Sequence, residues 1–249
     1  MSMLNRETTL IFLPGFLGNH HDFDKIIAAM PDDYKRNCIV LDLPGHNDNS
    51  LADYDESIEY LDNALQSHNI DGDFVFYGYS LGGRLAINYA FKRKNPRLKG
   101  LIIESASFGL TEGERRMRTG KDLLWASQFA LKKPREILTN WYNQPHFRSL
   151  SNEEKRKLID RRLNQDFHKL AIQFDLTSVA RLDNYRNRLD ELPFDIVYLY
   201  GEEDEIFSAI AQRESVFENF SPIKITGASH NIHTFFPQEV ASVIKNLLE

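Results

Sequence analysis

Thiol chemistry is almost absent from this chain, which has one cysteine, Cys38. Without a second thiol there is no intramolecular disulfide, and a structural zinc site has no thiolates to draw on. Cys38 lies in the apolar run Cys38-Ile39-Val40-Leu41 and reads as a buried strand thiol rather than a reactive one. Nowhere do about 18 apolar residues run together, so no membrane span is expected. The stretch from Met1 to Glu7 also lacks the charged-then-apolar pattern of a secretion signal, and a soluble, cytoplasmic protein is the expectation. Internal repeats and low-complexity tracts are missing too. Basic charge is not in excess: the net charge of −6 argues against a general nucleic-acid binder.

What is present is enough apolar sequence for one sizeable core, 42% of 249 residues. The charge is unevenly placed. Between Ser105 and Asp190 there are 17 Lys+Arg against 11 Asp+Glu, whereas the rest of the chain has 13 against 25, so a basic segment sits inside an acidic protein.

Strands and helices alternate along the N-terminal part. Thr9 to Leu13, Cys38 to Leu43, Asp73 to Tyr77 and Leu98 to Ile103 read as buried strands, separated by helical stretches near Phe23 to Met30, Ser57 to His68 and Ala86 to Lys94. That alternation predicts a mostly parallel sheet with helices on both faces. From Ser105 to Leu192 the pattern turns to long charged helical stretches, then strand character returns at Phe194 to Tyr200 and Ile223 to Thr226, before a last helix from Pro237 to Leu248. The expected organisation is an α/β core from residues 1–104 and 193–249, with residues 105–192 inserted as a helical cap.

Gly78-Tyr79-Ser80-Leu81-Gly82 spells Gly-x-Ser-x-Gly directly after an apolar strand and directly before a helix. This is the context of a nucleophile elbow, where the turn is so tight that the serine backbone is strained and its hydroxyl stands clear of the sheet. A serine hydroxyl needs an imidazole to take its proton and a carboxylate to hold that imidazole. Asp204, after the strand ending Leu199-Tyr200-Gly201, and His230, after the strand Ile223 to Thr226, supply them in the chain order that an elbow fold requires. Glu202, Glu203 and Glu205 compete with Asp204, whose place after Gly201 favours it. The expected oxyanion donors are the backbone N–H groups of Leu81 and Phe16. His233, three residues after His230, suggests a metal pair, yet no third ligand is evident and no metal is expected. His20, His21 and His46 read as turn or surface residues. Arg84 lies four residues after Ser80, on the same helix face, where a guanidinium can meet a carboxylate.

Together these segments resemble the α/β-hydrolase superfamily over essentially the whole length: Phe12-Leu13-Pro14-Gly15-Phe16, Asp42-Leu43-Pro44-Gly45-His46, Gly78 to Gly82, Gly201-Glu202-Glu203-Asp204 and His230. More narrowly, the chain is similar to the 2-succinyl-6-hydroxy-2,4-cyclohexadiene-1-carboxylate synthases of menaquinone biosynthesis. The similarity rests on Gly78 to Arg84, on Arg118 with Asp122, on Trp141-Tyr142-Asn143-Gln144-Pro145 followed by Phe147, on Arg162 with Asn164, and on Ser229-His230-Asn231-Ile232-His233. The resemblance implies a lyase that removes a proton and eliminates pyruvate, with Ser80 acting as base through His230 and Asp204. It implies a small, multiply anionic substrate held by Arg84, Arg118 and Arg162 in a pocket shaped by Tyr79, Trp141 and Tyr142. No cofactor is implied, and a monomer or small homo-oligomer is expected. The alternative from the same residues is a serine carboxylesterase or thioesterase acting on a small anionic ester. Three departures stand out. Pro14 replaces the usual histidine before Gly15, so the bonds that histidine makes to order the oxyanion loop are expected to be missing. Asn47 replaces a tight glycine, and Glu104-Ser105-Ala106-Ser107 lacks the glycines expected there.

Overall fold

The structure is a computed structural model that describes residues 4–47 and 49–248. Met1 to Met3 of the N-terminal stretch, Asp48 and Glu249 lie outside them. The strands are β1 (Thr9–Leu13), β2 (Cys38–Val40), β3 (Phe74–Tyr79), β4 (Leu98–Glu104), β5 (Ile196–Gly201) and β6 (Phe220–Ile225). The helices of the first half are α1 (Asp24–Ala29), α2 (Asp32–Lys35), α3 (Glu56–Ser67), α4 (Leu81–Arg93), α5 (Glu112–Leu131) and α6 (Pro134–Tyr142). Those of the second are α7 (Asn152–Arg162), α8 (Phe167–Leu176), α9 (Glu205–Glu214), α10 (Ile232–Phe235) and α11 (Pro237–Leu248).

The six strands form one sheet in the order β2-β1-β3-β4-β5-β6, and every neighbouring pair is parallel. Side chains alternate across it with the period of two that a strand imposes. Ile11, Leu13, Phe74, Phe76 and Ile103 enter one buried cluster, while Leu10, Phe12, Val75, Tyr77 and Ile102 enter another. Both faces are covered, which is why these strands are continuous apolar runs. The edge strand is shorter than its sequence suggests, ending at Val40 rather than Leu43. Leu41 N–H still reaches Phe12 O at 3.0 Å, but Leu41 and Leu43 then turn into the core and Pro44-Gly45 closes the turn. Cys38 is half-buried there, its thiol pushed up to about 12 by burial.

β2 lies on one side of β1 and β3 on the other, so strand order reverses at β1. In an open parallel sheet this reversal opens a crevice at the carboxyl ends of the strands. The loop after β1 and the turn after β3 meet there: Gly82 N–H donates to Pro14 O at 3.0 Å.

Helices α5 to α8 run between β4 and β5 and pack around their own apolar cluster, which includes Phe129, Ile137, Leu138, Leu158 and Leu170 and takes in Leu17 from the β1 loop. Their starts are local: capping boxes at Thr111 with Glu114 and at Ser151 with Glu154, Pro134 in the first turn of α6, and the Asp166 side chain on Lys169 N–H. The Gln173 amide ties this layer to the core by accepting from Ala52 N (3.1 Å) and donating to Ala52 O (2.7 Å). Beyond α8, Leu182, Tyr185, Leu189 and Leu192 pack back into the sheet's cluster. Among the described residues no helix is long and apolar enough to cross a membrane.

Candidate active site

Ser80 sits between β3 and α4 with φ 49° and ψ −104°. A non-glycine residue is held in that region only when its surroundings over-determine it. Here they do, by backbone contact. A Cβ on Gly82 would lie 2.1 Å from Leu13 O, and one on Gly78 would lie 2.5 Å from the Gly83 Cα, so only glycines allow the turn to close this tightly. Ser80 N–H is fixed to Glu104 O at 2.9 Å, and Ser80 lines a cavity that residues of α5 to α8 also border.

His230 faces the same cavity. Its Nδ1 lies 3.1 Å from Asp204 Oδ2, and the other Asp204 oxygen accepts from Phe207 N–H in the first turn of α9. A carboxylate only accepts, so Nδ1 is the donor and Nε2 is left to the cavity. The imidazole is caged by the rings of Tyr79, His146, Phe147 and Phe207. Ser80 Oγ has no hydrogen-bond partner among the described residues; such bonds are often long before substrate binds.

The amides near Ser80 divide into used and free. Leu17 N–H donates to His46 Nε2 (3.1 Å), Gly18 N–H to Gly15 O (2.9 Å) and Gly82 N–H to Pro14 O. Leu81 is the first residue of α4, so its N–H has no carbonyl within the helix to bond, and Phe16 N–H likewise has no acceptor among the described residues. These two free donors belong to the loop and elbow that border Ser80.

Tyr79, Arg84, Arg118, Trp141, Tyr142 and Arg162 all line the cavity. The guanidinium groups differ in how they are held. Arg162 is 7% exposed and pairs at 2.5 Å with Asp22, itself 8% exposed. Burial works against that cation, but Asp22 and Tyr142 more than offset it and hold Arg162 above its ordinary range. Arg118 Nε donates to Asp122 Oδ1 at 2.6 Å, and Asp122 also accepts from Ser178. Arg84 has no ion-pair partner among the described residues. Two buried oxygens of cavity-lining residues, Ser105 Oγ and Asn231 Oδ1, also have no hydrogen-bond partner among the described residues. Among the described residues no group of three or more His, Cys, Asp or Glu side chains is placed to hold a metal ion.

An α/β-hydrolase fold family model matches residues 8–237. The chain is 34% identical over 243 residues to the 2-succinyl-6-hydroxy-2,4-cyclohexadiene-1-carboxylate synthase of an Enterobacter species, covering 96% of this chain and 91% of that one. It is equally similar, at 34%, to the synthase of the same name from Citrobacter koseri, covering 96% and 93%. The chain belongs to this synthase family, on the α/β-hydrolase fold. Among solved structures, MenH from S. aureus superposes with a TM-score of 0.88 at 28% identity, over 98% of this chain and 94% of that one. An esterase from Thermogutta terrifontis superposes at 0.79 with 19% identity, over 98% and 90%, a likeness of fold.

Within this synthase family frame, the sequence departures find physical substitutes. His46 is not a surface residue: it is 1% exposed, donates from Nδ1 to Pro44 O at 2.9 Å, and accepts from Leu17 N–H. It orders the loop after β1 from the neighbouring turn, in place of the bonds that Pro14 cannot make. Burial lowers its pKa to about 4, so it stays neutral and keeps the accepting nitrogen. His20 and His21 are exposed, as expected, beside Asp42 and Asp24. Asn47 and Ser105 stand where glycine was expected because both adopt positive φ, 50° and 48°; for Asn this is a tolerated conformation.

The sequence reading missed His146, Lys121 and Asp22, which also line the cavity. His146 lies with its ring centroid 4.8 Å from that of His230, its pKa lowered to about 2 by burial and by the neighbouring His230, Lys121 and Arg118. Nothing local marks it out, since its place depends on how α6 and α7 pack.

Proposed function

We propose that this enzyme eliminates pyruvate from 2-succinyl-5-enolpyruvyl-6-hydroxy-3-cyclohexene-1-carboxylate to give 2-succinyl-6-hydroxy-2,4-cyclohexadiene-1-carboxylate. Ser80 Oγ takes the ring proton while passing its own to His230 Nε2, and Asp204 stabilises the imidazolium. The electrons of the broken C–H bond at C2 form the C2=C3 double bond, the ring's C3=C4 pair shifts to C4=C5, the C5–O bond to the enolpyruvyl group breaks, and the departing enolate takes a proton back from the His230 imidazolium and becomes pyruvate. No acyl-enzyme forms. Phe16 and Leu81 N–H groups receive charge that develops on substrate oxygen, and Arg84, Arg118 and Arg162 hold the carboxylates.

The observation that carries this reading is that three arginines, Arg84, Arg118 and Arg162, line one cavity with Ser80 and His230. A multiply anionic substrate loses its hydration there and needs cations in exchange. The test is to supply the enolpyruvyl substrate and follow pyruvate release directly. Pyruvate formation at a rate that saturates with substrate supports the lyase; no pyruvate, alongside brisk turnover of p-nitrophenyl esters, would leave the carboxylesterase or thioesterase reading in its place.

A further inference from the structure

A second carboxylate and imidazole pair lies beside the first, and the chemistry above makes no use of it. Glu104, the last residue of β4, is fully buried. Its Oε1 accepts from both His233 N–H (3.1 Å) and His233 Nδ1 (2.8 Å), and its Oε2 accepts from the Tyr77 hydroxyl of β3. His233 is 2% exposed and borders the cavity. Its ring packs on Tyr79 with centroids 4.4 Å apart, and Tyr79 in turn packs on His230 at 5.2 Å.

Burying a carboxylate is costly unless its oxygens are bonded, and here three donors meet it. Two of them come from the segment that carries His230. The third and the Ser80 N–H bond to Glu104 O come from β3 and its elbow. The same residue therefore grips the serine turn through its main chain and the histidine loop through its side chain.

We propose that Glu104 and His233 form a clamp that sets the register between Ser80 and His230. His233 is then a positioning residue: it fixes the His230 loop and the Tyr79 ring against the end of β4, and does not itself exchange protons with substrate. This rests on the reading of His230 as the group that receives the Ser80 proton. It also accounts for two histidines three residues apart that no third metal-ligating side chain joins among the described residues.

The two nitrogens of His233 can be separated by substitution. His233→Asn keeps an amide N–H where Nδ1–H stands, and so keeps the clamp. His233→Gln places its amide nearer the Nε2 position and drops the clamp. Each protein is assayed for kcat and KM of pyruvate release, and for the rate at which a fluorophosphonate labels Ser80, a readout that does not depend on which substrate the enzyme takes. We expect His233→Gln to lose about tenfold or more in kcat and in labelling rate, with KM within about twofold, and His233→Asn to recover most of the loss. A rise in KM with kcat kept would make His233 a substrate contact and overturn the clamp. Equal losses in both variants, or no loss in either, would overturn it as well. Should His233→Gln fail to fold, Glu104→Gln keeps the shape and an accepting oxygen but removes the charge; roughly a threefold or greater loss in labelling rate at unchanged KM is expected, and undiminished labelling overturns the proposal. Absence of pyruvate with every protein, while the wild type labels normally, counts against the lyase reading and leaves the labelling comparison to decide the clamp.

Discussion

Gly82 and Arg162 mark two ways of fixing a group beside one cavity. At the elbow, position is set by backbone against backbone: Gly82 packs on Leu13 O, its N–H bonds Pro14 O, and Ser80 is held at φ 49° with no side-chain bond of its own. Under the cap, position is set by side-chain charge, Arg162 on Asp22 and Arg118 on Asp122. A backbone constraint has no partner that can be removed singly. An ion pair does, and removing one member leaves the other buried and unpaired. The serine turn is thus held by a rigid layer, while Arg162 and Arg118 sit in a layer whose cations can be changed one at a time.

The largest expected effect is on the rigid side. Ser80→Ala should lower kcat for pyruvate release by about 10³-fold, the scale of a lost general base, with thermal stability unchanged or raised because the strain at φ 49° gains nothing from the hydroxyl. A kcat within a few-fold of wild type would show that the elbow supplies shape alone.

Arg162→Ala comes next and should behave unlike any elbow change. It strands Asp22 in a site only 8% exposed, so a stability loss of about 3 kcal/mol is expected in urea unfolding, together with weaker substrate binding. Arg84→Ala sharpens the contrast. Having no ion-pair partner among the described residues, it should raise KM about tenfold, the worth of one charge-assisted bond, with the unfolding midpoint unmoved. Lys132, on the cap surface with Glu136, sets the floor: Lys132→Ala should change neither quantity measurably. Equal effects at Arg162 and Lys132 would mean that the cap charge is solvation and not recognition.

The histidines give a pH test that spans both layers. His46 in the core and His146 in the cap have pKa values lowered by burial, to about 4 and about 2. In the unfolded chain each takes a proton near pH 6.5. As pH falls below that value the unfolded state binds protons that the folded state refuses, so stability is full above pH 6.5 and is lost as pH falls toward 4. The loss from each is on the order of 2 to 3 kcal/mol across that window. His146→Leu should remove its share of the slope while the His46 share persists, read as unfolding free energy against pH. An unchanged slope in the variant would place His146 in water and not against His230.

The parts of this molecule that were readable in one dimension are those whose physics is local. The elbow was legible because strand period, glycine placement and helix start fall within a few residues of Ser80, and the order of Asp204 and His230 followed from the strands that precede them. The capping boxes of α5 and α7 are equally short-range but went unread, because charged residues crowd both segments. The edge strand was overread at Leu41 to Leu43 because an apolar run has the same look whether it extends a ladder or turns into the core.

From residue order alone came the parallel α/β sheet, the tight turn at Ser80, the family, and the basic segment inside an acidic chain. Tertiary packing alone decided which charges are held and which are free, and which histidines are buried. The bonds that matter for this span long separations: His46 to Leu17 across 29 residues, Glu104 to His233 across 129, and Arg162 to Asp22 across 140. A motif records the conformation a short segment must adopt, whereas the partner of a buried charge or imidazole is set by whatever the folded chain brings within about 3 Å of it.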